Sequence, residues 1–129
     1  MGACYSVNLK VDIVDEQGAI KALKNHIFND KGVNYNIEQY AKANITTDTF
    51  DDLMKILLAE LQREVLVWQV GEFRCYENDF DASYGWEDVM MEWFEILTPF
   101  IGEGSQLTIY LDEDYDELVV RNGKCVQIH

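Results

Sequence analysis

Ser83-Tyr84-Gly85-Trp86-Glu87-Asp88-Val89-Met90-Met91-Glu92-Trp93-Phe94-Glu95-Ile96-Leu97-Thr98-Pro99-Phe100-Ile101 is the stretch on which the rest of the chain must pack. Trp86, Val89, Met90, Trp93, Phe94, Leu97, Phe100 and Ile101 recur at helical spacing and form a wide stripe of large apolar side chains. Such a stripe marks a helix buried along one side. Ser83 is placed to cap it, and Glu87 and Asp88 fall in the first turn, where the helix dipole favours negative charge. Gly102 and Gly104 end it.

Downstream, Leu107, Ile109 and Leu111 alternate with polar residues, a turn falls around Asp112–Asp116, and Leu118 and Val120 continue the pattern. Asn122-Gly123 is a strong short hairpin signal and returns the chain through Val126 and Ile128. Strands joined by tight turns are antiparallel.

Upstream, residues 4–14 alternate: Tyr5, Val7, Leu9, Val11 and Ile13 on one side, Ser6, Asn8, Lys10 and Asp12 on the other. This is a strand with one wet face. Ile20, Leu23 and Ile27 predict a helix over Gln17–Phe28, with Asp15 or Glu16 near its start. Asn36 is placed to cap a short helix carrying Ile37, Tyr40 and Ala41. Thr47 or Asp48 is expected to cap a stronger one with the stripe Phe50, Leu53, Leu57 and Leu61. The β-prone residues Val65–Val70 predict a strand from Val65 to Tyr76 with a bulge at Gly71; a helix running on to Trp68 is the alternative.

The expected order is therefore β-α-(α)-α-β-α-β-β-β, an α+β fold in one domain over residues 1–129. It has an antiparallel or mixed sheet of 4–5 strands with about three helices on one face. A chain of 129 residues, 48% hydrophobic and 12% aromatic with one proline (Pro99), suits one domain with a real core. No apolar run reaches the ~18 residues of a membrane span. No secretory signal is expected, because no basic stretch leads into an apolar one, and three widely spaced cysteines (Cys4, Cys75, Cys125) read as free thiols, so the expected compartment is the cytoplasm. Met1-Gly2-Ala3-Cys4-Tyr5-Ser6 fits an N-myristoylation pattern, but the alternation beginning at Tyr5 makes the start of a first strand the better reading.

Charge is the main functional signal. Residues 1–63 carry seven basic and nine acidic residues; residues 64–129 carry three and fifteen, giving most of the net −14. No lysine or arginine stands between Arg74 and Arg121, an interval with thirteen acids. Asp88, Glu92 and Glu95 make a like-charged stripe about 10 Å long on the final helix, without the i+4 lysines that would offset it.

This pattern predicts a small non-catalytic protein that presents a negative face to a basic protein partner, of the inhibitor, immunity or nucleic-acid-mimic type. The expected face is Glu87, Asp88, Glu92 and Glu95 with Asp112, Glu113, Asp114, Asp116 and Glu117; Phe80, Tyr84 and Trp86 are candidate aromatic contacts. Direct nucleic-acid binding is disfavoured, because phosphate contacts need lysine and arginine. No membrane partner is expected. Two other readings stand beside this one: an enzyme using a carboxylate cluster, and an assembly subunit whose acidity serves only solubility.

No cofactor or metal is expected. Asp79–Gly85 and Asp112–Asp116 both lack the glycine and glutamate positions of an EF-hand loop, and no zinc-ligand spacing exists. Cys75 follows Arg74 but has no histidine tied to it, and neither a phosphate loop nor a Gly-x-Ser-x-Gly elbow is present.

Overall fold

The computed structural model describes residues 2–129. Met1, the first position of the acylation pattern, lies outside the described residues. The elements are β1 (Gly2–Val11), α1 (Glu16–Asn29), α2 (Ile37–Lys42), α3 (Phe50–Leu57), β2 (Leu66–Val70), β3 (Phe73–Ser83) and α4 (Trp86–Leu97). A 3₁₀ turn (Thr98–Phe100) then leads to β4 (Gln106–Leu111), β5 (Asp114–Arg121) and β6 (Lys124–Gln127). Every strand pairing is antiparallel, in one sheet of order β2-β3-β1-β4-β5-β6.

The α+β class and the helix-covered sheet agree with the sequence; the counts do not. Among the described residues there are six strands and four helices. The extra strand arises where a single bulged strand over Val65–Tyr76 was expected. Gly71 is not a bulge but half of a two-residue turn, with Val70 paired to Phe73. Its φ of +59° suits the first central position of a type II′ turn, which favours glycine. The strand that follows runs on to Ser83, because Tyr76, Asn78 and Phe80 alternate with Glu77, Asp79 and Asp81.

Other local expectations move by a residue or two. Asp15 caps α1 by accepting from the Gly18 N–H, as its position suggests. Thr49, rather than Thr47 or Asp48, caps α3. That helix ends at Leu57, which leaves Leu61 exposed beyond it. Asn36 stands before α2 in the left-handed region with no side-chain cap bond. Ser83 closes β3 instead of capping α4; Gly85, at φ +103°, precedes that helix. The predicted turn at Asp112–Asp116 tightens to Asp112-Glu113, and Asn122-Gly123 makes the second tight turn with both φ values positive.

β1 lies between β3 and β4 and supplies Ala3, Tyr5, Val7, Leu9 and Val11 to the inner face, all buried. They join Met90, Trp93, Phe94 and Leu97 of α4, Ala19, Leu23 and Ile27 of α1, and Phe50, Leu53, Met54 and Leu57 of α3 in one core. The polar groups drawn inside have partners. The Trp93 indole donates to the Tyr35 hydroxyl at 3.2 Å. Asn78, inward on β3, donates to the Leu58 carbonyl at 2.6 Å and the Arg63 carbonyl at 3.0 Å.

Asn78 thus holds the loop between α3 and β2 against the sheet. Asn78→Ala leaves two carbonyls without their donor and is expected to lower unfolding free energy by about 2–3 kcal/mol. Urea denaturation monitored by tryptophan fluorescence measures it, and a change below about 0.5 kcal/mol would show that water replaces the amide.

Candidate functional site

Along the strands the sheet is electrically polar. Its lysines and arginines are Lys10, Arg74, Arg121 and Lys124. Register places all four at one end: Arg74 opposite Val11, Lys10 beside Gln106, and Arg121 paired with Lys124. At the other end Asp81 lies opposite Cys4, Asp79 opposite Ser6, and Asp114 pairs with Leu111, itself opposite Tyr5. Cys4 and Lys10 are separated by about 20 Å of extended chain.

The acidic end holds an open groove of about 540 Å³ on the helix-free outer face. It is lined by Cys4, Ser6, Asp79, Asp81, Tyr110 and Asp112, with Gln62 and Arg63 at its rim. Asp79 and Asp81 face outward because their parity on β3 is opposite to that of the core residues Asn78 and Phe80. Ser6 donates to Asp79, and the Cys4 thiol donates to Asp81 at 3.0 Å. Arg63 comes to 3.8 Å from Asp79, while all three carboxylate residues are exposed.

Nucleophilic chemistry at Cys4 is opposed by its surroundings. The hydrogen bond to Asp81, then the charges of Asp81 and Asp112, hold the thiol above its ordinary pKa. The thiolate is the reactive form.

The acids proposed from sequence divide: Glu87, Asp88, Asp112, Glu113 and Asp114 lie toward the acidic end, while Glu92, Glu95, Asp116 and Glu117 lie further along α4 or the strands. Asp112 and Glu113 form the turn at the acidic end. Asp114 and Asp116 share the inner-face parity of Leu118, whereas Glu117 shares the outer-face parity of Thr108, its partner. Glu87 reaches the same end, accepting from the Tyr5 hydroxyl at 3.1 Å, and Asp88 is exposed beside it. Glu92 turns toward His26 of α1, at 3.9 Å, and Glu95 lies eight residues further along α4 than Glu87, near Cys125. A single face built by α4 and the β4–β5 hairpin is therefore not what forms.

Of the aromatic candidates, Phe80 is buried against Tyr5 with ring centroids 5.7 Å apart. Trp86 donates to the Leu57 carbonyl at 3.1 Å and packs edge-on to Tyr35. Tyr84 alone is at the surface, 61% exposed. Asp79, Asp81 and Tyr110 are groove residues absent from the sequence-based site. The alternation over Tyr76–Ala82 was the signal for the first two.

One side-chain group among the described residues brings metal-ligand types together. His26 Nε2 lies 3.8 Å from Asp30 Oδ2 and 3.9 Å from Glu92 Oε2, with the Tyr35 hydroxyl 3.5 Å away. One imidazole and two carboxylates suit a borderline divalent cation. The same atoms form an ion pair joining α1 to α4 when His26 is protonated.

No protein-family model, curated protein or solved structure matches the chain. No helix among the described residues is long and apolar enough to cross a membrane.

The Tyr5–Glu87 contact has a pH signature. Burial, then the hydrogen bond and charge of Glu87, push the Tyr5 hydroxyl up to about 12. Tyr76 moves in the same direction through burial and Asp51. A raised folded-state pKa favours the protonated phenol, so this stability is intact below about pH 10 and falls as pH rises toward 12. Stability measured by urea denaturation from pH 9 to 12 should decline, and Tyr5→Phe should make the decline shallower. An unchanged slope in that variant would remove Tyr5 as a cause.

Proposed function

We propose that the chain is a non-catalytic binding protein that offers the acidic end of its sheet to a basic protein partner. The observation that carries this reading is the groove of Asp79, Asp81 and Asp112, with Arg63 the one lining cation among the described residues. Glu87, Glu113 and Asp114 extend the negative potential around the same end. Carboxylates left open to solvent suit a partner's lysines and arginines, whose charges steer encounter and select against acidic competitors. Segregating the strand cations about 20 Å away keeps them from neutralising the surface.

The same exposure speaks against a carboxylate enzyme, in which a general acid needs a desolvating environment to raise its pKa. Tyr110 and Tyr84, both exposed, add aromatic surface of the kind that anchors interfaces.

The test is capture from the source cell on immobilised full-length chain, with elution in rising NaCl. Basic proteins bound at 50 mM and released by 500 mM are expected. The triple variant Asp79→Lys, Asp81→Lys, Asp112→Lys should weaken the isolated partner's binding at least tenfold. Glu38→Lys, an exposed change on α2, should have little effect. Equal loss in both variants would point to net charge alone, and binding that survives the triple change would place the interface elsewhere.

A further inference from the structure

The two edges of the sheet are built differently. β6 has four residues, begins with Lys124, and is followed by Ile128 and His129, which bond to the Glu117 backbone. The His129 ring stacks on Tyr115 at 3.7 Å. Charge and shortness are standard protections of a sheet edge. β2, the other edge, is five residues long and carries no charge of its own. Leu66-Val67-Trp68-Gln69-Val70 is exposed at every position, and residues 65–71 include no charged residue in a chain that is 26% charged.

The pattern of free backbone groups on β2 is defined. Val70 and Phe73 flank a two-residue turn, so they exchange backbone hydrogen bonds. By alternation, Leu66, Trp68 and Val70 direct their N–H and C=O groups to β3, while Val65, Val67 and Gln69 direct theirs outward. The Val65 N–H is already taken by Glu60 Oε1, at 2.7 Å. Val67 and Gln69 remain as outward donor–acceptor positions.

We propose that β2 is a self-complementary edge through which two copies of this chain pair antiparallel, about a two-fold axis at Trp68. In this register Val67 of one copy faces Gln69 of the other, twice, and the two pairs exchange four backbone hydrogen bonds. Trp68 meets Trp68 of the second copy as the close, non-bonded pair, with Cα atoms about 4.5 Å apart. Leu66 faces Val70 on the same outer side as the tryptophans, so one apolar stripe crosses the axis. Two six-stranded sheets become one of twelve strands, with β6 at both ends and both acidic grooves free.

A second copy supplies a matching edge, because the outer-side residues Leu66, Trp68 and Val70 are spaced symmetrically about Trp68 and residues 65–71 carry no charge to repel the same segment. Leu66, Val67, Trp68 and Val70 are 55, 41, 42 and 57% exposed. Covering them removes on the order of 800 Å² over both copies, below the ~1,200 Å² of persistent interfaces, so the dimer is reversible. Each copy carries −14, and Glu64 falls opposite Glu72 of the second copy. Salt therefore strengthens this association, the reverse of its effect on a basic partner.

Sedimentation of the full chain from 1 to 500 µM tests the proposal. A monomer–dimer equilibrium is expected, with several-fold tighter dimerisation in 500 mM than in 50 mM NaCl. Gln69→Pro removes an outward N–H and no β2–β3 bond, so it should give a monomer of unchanged circular dichroism. Trp68→Lys leaves the backbone intact and should also give a monomer, while Val126→Lys on the opposite edge should dimerise like the parent. A parent chain that stays monomeric at 500 µM overturns the proposal. So does a dimer that persists in both β2 variants, or protection of the Val67 and Gln69 amides only when a basic partner is added.

Discussion

The position of β1 between β3 and β4 is the constraint on which the molecule rests. Its five inward side chains are buried, and its outward ones face solvent or the groove. Because side chains alternate with a period of two, a slip of one residue against either neighbour would expose the whole inward set and bury Asn8 and Lys10. The same register aligns charge. It sets Asp79 beside Ser6 and Asp81 beside Cys4, and it leaves Lys10 and Arg74 at the far end. Core and electrostatics are thus consequences of one alignment.

The amphipathic pattern of Trp86–Leu97 and the alternation of Tyr5–Val11 were legible because each periodicity reports burial directly. Asn122-Gly123 was legible because few residues tolerate two successive positive φ angles. Gly71 was not, since a glycine in a β-prone run is compatible with a bulge or a turn, and the choice depends on which strand pairs with which. The charged end was half legible. Sequence shows how many carboxylates there are and on which side of a strand each points, but which end they share depends on register between residues 63 to 106 positions apart. The expected face joined Glu95 to Asp112 through proximity in sequence order; the sheet joins Asp112 to Asp81 instead.

Concentrating acids at one end has an energetic side. Like charges within a Debye length, about 8–10 Å at physiological salt, repel in the folded state and less in an expanded chain. Among the described residues, Arg63 and the hydroxyl and thiol donors of Ser6 and Cys4 soften this locally. A surface arranged in this way becomes more favourable when opposite charge is brought to it.

The central place of β1 also shapes the order of events during synthesis. β1 is made first, yet its partners are residues 74–83 and 106–111. At about 5–20 residues per second, the strand waits several seconds on the ribosome before either neighbour exists. Contacts so distant in sequence make folding slow once the chain is complete. Through that interval Tyr5, Val7, Leu9 and Val11 form an adhesive segment, restrained by Ser6, Asn8 and Lys10 between them. The polar side of β1 that later lines the outer face serves first as a guard for the nascent chain.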